Sequence, residues 1–98
     1  MAIQKIRWSR VYESSEEELL VLLKSRNIQA KRVDGEAGSQ QPEQTTQKSL
    51  TIWCAEGSLA VRTPSTSTSL QPGDAIRIDA QTPYELHAGI SGYVYYQS

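Results

Sequence analysis

The chain has 98 residues, which is enough for one domain with one hydrophobic core. Its 10 lysines and arginines nearly balance its 11 aspartates and glutamates, and the formal net charge is −1. Without a basic block, nucleic acid and anionic membranes are not expected partners. The first ten residues lack the apolar run of a signal peptide, and the longest apolar run, residues 19–23, is too short to span a membrane. The sequence therefore predicts a cytoplasmic protein.

Two residue types that are common in metal and catalytic sites occur once each. Cys54 is the only cysteine, which excludes an intrachain disulfide and a paired-cysteine metal site. His87 is the only histidine, so one copy of the chain cannot form a two-histidine metal site. We interpret Cys54 as a buried, unreactive thiol. We interpret His87 as a surface or interface residue, with a metal ligand or an acid–base group as the alternatives.

The clearest predicted element is a helix over residues 15–26. Ser14 or Ser15 can cap its start, its first turn is acidic, and its last turn contains Lys24 and Arg26, all of which suit the helix dipole. Asn27 is the predicted stop, because asparagine tolerates the left-handed conformation that often ends a helix. The apolar stripe of this helix must pack against a sheet or a partner subunit.

From residue 28 onward, short apolar runs alternate with turn residues at intervals near ten residues, which is typical of an all-β sandwich or barrel. The predicted strands are residues 28–33, 48–55, 58–62, 68–70, 75–78, 84–88 and 92–96. Ile6, Trp8 and Tyr12 suggest an additional short strand or extended arm. The polar segments 34–47 and 63–69 are predicted to be solvated loops.

Two turns are predicted from their residue types. The Glu56-Gly57 pair lies between two apolar runs and predicts a hairpin turn. Residues 72–74, Pro-Gly-Asp, predict a second turn, in which the Asp74 carboxylate accepts a backbone hydrogen bond.

These turns and strands resemble the cupins, small antiparallel β-barrels in which two sequence motifs usually supply three histidines and one glutamate to a metal. In the first motif, Gly38 and Gly57 occupy the two glycine positions. Gln44 and Thr46 stand in place of the two histidines, and Leu50 stands in place of the glutamate. The spacing of the motif is kept, but its metal ligands are not.

The second cupin motif begins at Gly73, in the Pro-Gly-Asp turn. Asp79, Gln81, Tyr84 and Ala88 then replace its proline, glycine, histidine and asparagine. The resemblance covers residues 38–96, and the N-terminal strand and helix are only loosely similar to small single-domain cupins. Because all four ligand positions differ, it does not imply the metal-dependent dioxygenase or isomerase chemistry of the family.

The resemblance implies an all-β fold: a cupin-like antiparallel β-barrel of the jelly-roll, RmlC-like type with an N-terminal α-helix. The expected organisation is one domain over residues 1–98, with the strand or arm and the helix in residues 1–27 and the barrel in residues 28–98. No metal and no cofactor are expected.

Alternation along the strands predicts which side chains face the barrel interior. The candidate pocket residues are Gln44, Thr46, Leu50, Ile52, Cys54, Ile76, Ile78, Tyr84 and Leu86. A mainly apolar set with a few polar groups suits a small neutral ligand. In the alternative interpretation, Leu50 and Tyr84 fill the space of the lost metal and the interior is a packed core. Trp53 has the opposite parity and is expected on the outer face, under the N-terminal segment or at a dimer interface.

Two functional hypotheses follow. The first is a noncatalytic, metal-free domain that binds a small neutral or carboxylic ligand in the barrel or serves as an assembly module. The second is a metal-independent isomerase or epimerase of sugars or other small molecules, with Tyr84 as the acid and no identified base. The first is preferred, and no catalytic residue is assigned. A homodimer is expected, because the amphipathic helix and the outward Trp53 leave apolar surface to cover.

Overall fold

The computed structural model describes residues 3–8, 16–64 and 66–98. Its elements in chain order are β1 (Ile3–Arg7), α1 (Glu16–Ser25), β2 (Lys31–Gly35), β3 (Gln40–Gln44), β4 (Leu50–Arg62), β5 (Ser67–Leu70), β6 (Asp74–Ile78) and β7 (Tyr84–Gln97). Tyr12 and the predicted caps Ser14 and Ser15 lie outside the described residues. Within those residues, no helix has the length and apolar character needed to cross a membrane.

All strand pairs are antiparallel, and the main order is β1-β6-β4-β7-β2. The first half of β4 pairs with β6 and its second half pairs with β5. In the same way, β7 pairs with β3 near its start and with β2 near its end. The two long strands thus run through both halves of the sheet and close it over one core. The predicted class, an antiparallel jelly-roll barrel with an N-terminal helix, is confirmed.

The predicted hairpin at Glu56-Gly57 is wrong, because the chain continues through it as the single strand β4. A hairpin would pair the two halves of the segment with each other, whereas both halves pair with β7. Register shifts on either side of residues 56 and 57 mark an irregular bend. The bend needs Gly57, whose φ is 72° and whose absent Cβ would overlap the carbonyl oxygen of Gly92.

Two further predicted boundaries are corrected. The strands predicted at residues 84–88 and 92–96 form one strand, β7, which bends in the same region of the barrel as β4. The segment 34–47, predicted as a loop, contains β3, which pairs with β7. The sequence of β3 has no alternation of apolar residues that would predict a strand, because four of its five side chains are exposed. Backbone pairing with β7 makes this segment a strand.

The helix packs on the outer face of the sheet through Leu19 and Leu23, which belong to a buried cluster with Trp53 and Tyr96. Trp53 is therefore on the outer face under the N-terminal helix, one of the predicted locations. Because the helix of its own chain covers Trp53, this side chain no longer argues for a dimer.

The helix ends as predicted at Asn27, which has a φ of 55°. The amide of Asn27 donates to the carbonyl of Lys24, and the amide of Ile28 donates to the carbonyl of Leu23. These two bonds form a Schellman motif, in which Ile28 also joins the cluster containing Leu23. Residue 28 thus completes the helix cap, and β2 begins three residues later than predicted, at Lys31.

The Pro-Gly-Asp turn is also confirmed. The Asp74 carboxylate accepts a hydrogen bond from the amide of Gln71 at 3.0 Å, and the amide of Asp74 donates to the carbonyl of Gln71 at 2.9 Å. Arg7 and Lys5 form ion pairs with the same carboxylate at 3.1 and 3.6 Å. The turn that begins β6 is therefore joined to β1.

Candidate functional site

Seven of the nine candidate pocket residues lie together inside the barrel. They are Leu50, Ile52, Cys54, Ile76, Ile78, Tyr84 and Leu86, and all belong to one buried hydrophobic cluster. The cluster also contains residues that were not in the candidate set, namely Ile3, Leu59, Val61, Leu70, Tyr93 and Tyr95.

Gln44 and Thr46, the other two candidates, lie outside this cluster. Gln44 is exposed, and its amide nitrogen donates to the side-chain oxygen of Gln41 at 3.0 Å. The Thr46 hydroxyl donates to the carbonyl of Lys48 at 2.7 Å. The pairing of β3 with β7 shifts register between residues 41 and 44, so strict alternation does not predict the side-chain direction here.

A polar group adjoins the hydrophobic cluster at Tyr93 and Tyr95. The Gln41 amide nitrogen lies 2.9 Å from the Tyr95 hydroxyl and 3.2 Å from the Tyr93 hydroxyl. The two tyrosine rings are also in contact, with centroids 5.3 Å apart. The amide of Gln41 donates to both tyrosine hydroxyls, and its side-chain oxygen accepts from Gln44, so Gln41 is the centre of this group. Gln41 was missed in the sequence because it lies in the segment predicted to be a loop.

The two candidate reactive groups in the cluster are held in their neutral forms by burial. Tyr84 is 2% exposed, and burial raises the pKa of its phenol above the ordinary value. Burial, with a smaller contribution from the charge of Asp74, raises the pKa of the Cys54 thiol to about 12. At neutral pH Tyr84 can donate a proton but cannot accept one, and Cys54 is not a thiolate nucleophile.

His87 lies on the opposite face of β7 from Tyr84 and Leu86. It is half-buried, and its Nε2 atom is 3.0 Å from Oε2 of Glu85. Among the described residues, no group of three or more histidine, cysteine, aspartate or glutamate side chains is arranged to hold a metal ion. His87 was interpreted as a surface or interface residue, and its position outside the hydrophobic cluster agrees with the expected strand face.

No known family model matches the sequence, and no curated protein is significantly similar to it. Solved structures do match its fold. A cupin superfamily protein from Desulfitobacterium hafniense has a TM-score of 0.66 at 10% identity, with 97% of this chain and 73% of that chain covered. The chain has the cupin fold.

Proteins of different kinds share this fold. The CENP-C cupin domain of Drosophila melanogaster matches with a TM-score of 0.62 at 18% identity, over 67% of this chain and 56% of that chain. A salicylate 1,2-dioxygenase from Pseudaminobacter salicylatoxidans matches with a TM-score of 0.60 at 16% identity, over 82% of this chain and 30% of that chain. The shared cupin fold therefore does not by itself identify a function.

The metal that the cupin fold implies does not fit the residues of this chain. Of the four positions that correspond to cupin ligands, Leu50 has no donor atom and lies in the hydrophobic cluster. Tyr84 is also in that cluster as a neutral phenol. Gln44 and Thr46 are engaged in local hydrogen bonds outside it. First-row divalent metals need several imidazole, carboxylate or thiolate donors at one point, and this set provides none.

Proposed function

We propose that this chain is a noncatalytic, metal-independent cupin-fold module that acts by assembling through its outer surface as a homodimer. The observation that carries the proposal is the hydrophobic cluster at the place of the cupin metal site, with Leu50 and Tyr84 at two ligand positions. Leu50 has no donor atom, and the buried phenol of Tyr84 is neutral, so neither side chain supplies a metal ligand. The remaining surface for a specific interaction is the outside of the barrel.

The hypothesis of a ligand inside the barrel is less well supported. The aliphatic members of the cluster pack against one another, with Ile52, Ile76 and Ile78 each fully buried. The polar residues next to them, Gln41 and Tyr95, already bond to each other. A small neutral or carboxylic ligand would have to displace these contacts, which makes a filled core the better explanation.

The alternative enzyme hypothesis lacks a base. Tyr84 could serve as an acid, but an isomerase or epimerase also needs a group that removes a proton from the substrate. Burial raises the pKa of Tyr84, and among the described residues no carboxylate, imidazole or amine contributes to this shift. The noncatalytic assembly function therefore agrees better with the site.

Metal analysis tests the proposal directly. Protein purified and then incubated with iron, manganese, nickel or zinc is expected to retain much less than one equivalent after gel filtration, with no increase in melting temperature. His87→Ala is the matched control, because any weak metal binding at the Glu85–His87 pair should disappear in this variant. One equivalent of metal retained by both the natural protein and His87→Ala would place a metal elsewhere in the chain and would overturn the proposal.

A further inference from the structure

The outer face of the barrel has a cavity of about 210 Å³ where β4, β5 and β7 lie side by side. Leu59 of β4 and Leu86 of β7 belong to the hydrophobic cluster inside the barrel, so the residues that alternate with them face outward. These outward residues include Ala60, Arg62 and His87, which border the cavity. Because Arg62 is exposed, the cavity is open to solvent.

Ala60 is at the centre of this cavity. The strand pairing places it opposite Ser69 of β5 and opposite His87 of β7. Because neighbouring strands are about 4.8 Å apart, the backbones of these two partners are about 10 Å apart, with only a methyl group between them. The hydroxyl of Ser58 lies over Gly89, where a Cβ would overlap it. Small residues therefore leave a space that polar side chains surround.

Arg62 gives the border of the cavity a positive charge. It lies opposite Glu85 in the pairing register, but the carboxylate of Glu85 contacts Nε2 of His87 at 3.0 Å. In the described parts of the chain, no carboxylate forms an ion pair with Arg62. A guanidinium has a planar fork of N–H donors that fits two oxygens of a carboxylate or a phosphate. The cavity therefore favours an oxyanion.

The contact with Glu85 also orients the ring of His87. An ionised carboxylate only accepts hydrogen bonds, so Nε2 of His87 carries the hydrogen that Glu85 accepts. In the neutral ring, Nδ1 is then an acceptor that this contact does not use. Within the part of the chain that the structure describes, no side-chain hydrogen bond involves the hydroxyl of Ser58 or Ser69. The border of the cavity thus has donors on Arg62 and the two serines together with one acceptor.

We propose that this cavity binds a phosphate group, either free or on a small molecule. Arg62 binds two of the phosphate oxygens, and the hydroxyls of Ser58 and Ser69 donate to the phosphate. A protonated phosphate oxygen donates to Nδ1 of His87, whereas an ionised carboxylate ligand has no hydrogen to donate. The site lies outside the barrel and is independent of the proposed homodimer.

A titration with inorganic phosphate at about pH 7.5, where an imidazole is ordinarily neutral, tests this site. In NMR spectra of the backbone amides, signals of β4, β5 and β7 are expected to shift saturably, with a millimolar Kd. At the same ionic strength, sulfate and acetate should bind at least about fivefold more weakly, because neither has the hydrogen that His87 accepts. His87→Ala should therefore weaken the binding of phosphate but not that of sulfate. Equal binding of all three anions would overturn the assignment of phosphate.

Glycerol 3-phosphate distinguishes the two sources of the phosphate group. At about pH 6, where about half of a phosphate monoester keeps a hydrogen, its Kd should be within about threefold of that of inorganic phosphate. Binding of inorganic phosphate without binding of the monoester would overturn the part of the proposal that concerns phosphorylated molecules.

Two pairs of variants test whether the binding depends on this cavity. Arg62→Gln should weaken phosphate binding at least about tenfold, whereas Arg77→Gln, at an exposed arginine on β6, should change the Kd by less than about twofold. Ala60→Leu fills the centre of the cavity and should abolish binding, whereas Ala80→Leu adds the same side chain at an exposed position outside it and should not. The amide spectra also show whether each variant is folded. No saturable shift at about 20 mM phosphate, or equal losses in Arg62→Gln and Arg77→Gln, would overturn the phosphate site.

Discussion

Glu16 shows how single polar contacts position the helix on the barrel. Its Oε1 atom accepts hydrogen bonds from Nε of Arg32 and from the hydroxyl of Tyr96, both at 2.7 Å. Arg32 is on β2 and Tyr96 is on β7, so one carboxylate joins the first turn of α1 to two strands. The hydrogen bond from Arg32, followed by that from Tyr96, lowers the pKa of Glu16.

This contact predicts a pH-dependent stability. Because the pKa of Glu16 is lower in the folded state, its ionised carboxylate increases the free energy of unfolding. This contribution to stability is fully present above the unfolded pKa of about 4.3 and is lost as the pH falls through the folded pKa. Glu16→Gln should therefore destabilise the protein at pH 7, by at most about 1 kcal/mol because the contact is partly exposed. The difference in the free energy of unfolding between Glu16→Gln and the natural protein should become smaller at acidic pH, as measured by urea unfolding. Glu17→Gln, an exposed change in the same helical turn, is the matched control for the loss of one carboxylate without the loss of this contact.

At the scale of elements, the bends of β4 and β7 decide which side chains enter the core. Before the bend in β4, the even-numbered Leu50, Ile52 and Cys54 face inward, whereas after it the odd-numbered Leu59 and Val61 do. The parity of β7 changes in the same way, from Tyr84 and Leu86 to Tyr93 and Tyr95. An extra residue at an irregularity reverses the faces of all later side chains, so alternation counted along one segment cannot be extended through the bend.

The bend of β4 should be sensitive to substitution at Gly57. A Cβ at this position would overlap the Gly92 carbonyl and would also meet a φ of 72°. Gly38→Ala is the matched control, because its φ is 75° but no atom lies within 4 Å of its added Cβ. Gly38→Ala should cost about 1 kcal/mol for its backbone conformation, and Gly57→Ala should cost at least about 2 kcal/mol more. If urea unfolding showed that Gly38→Ala and Gly57→Ala lose equal free energy of unfolding, the two long strands would not be closely packed at the bend.

At the scale of the whole molecule, the proposal of a filled core predicts how the barrel responds to truncation of its interior side chains. Ile76→Ala, a truncation at a fully buried position of that cluster, should destabilise the protein by about 2–5 kcal/mol. Ile90→Ala, at a side chain that is 96% exposed, should change the free energy of unfolding by less than about 0.5 kcal/mol. Similar small effects at both positions in urea unfolding would indicate an open interior, because truncating a side chain that lines a hydrated pocket creates no cavity.

The fold class was expected from the resemblance of the turns and strands to the cupins, and the elements with local signals were predicted best. The helix with its stop at Asn27 and the turn at Asp74 depend on residues that contact neighbours in the chain, and both were confirmed. The candidate site was predicted less completely. Leu50 and Tyr84 lie on strands with clear alternation, whereas Gln44 lies where a register shift removes this regularity.

By itself, the sequence determined the end of the helix, the turn before β6 and which side chains stand at the cupin ligand positions. These features depend on residue type and on short spacings along the chain. Only the tertiary structure decided that Glu56-Gly57 is a bend within one strand, that Tyr93 and Tyr95 enter the core, and that α1 covers Trp53. The physical reason is that the direction of a strand side chain depends on pairing register, which is set by partners distant in the sequence.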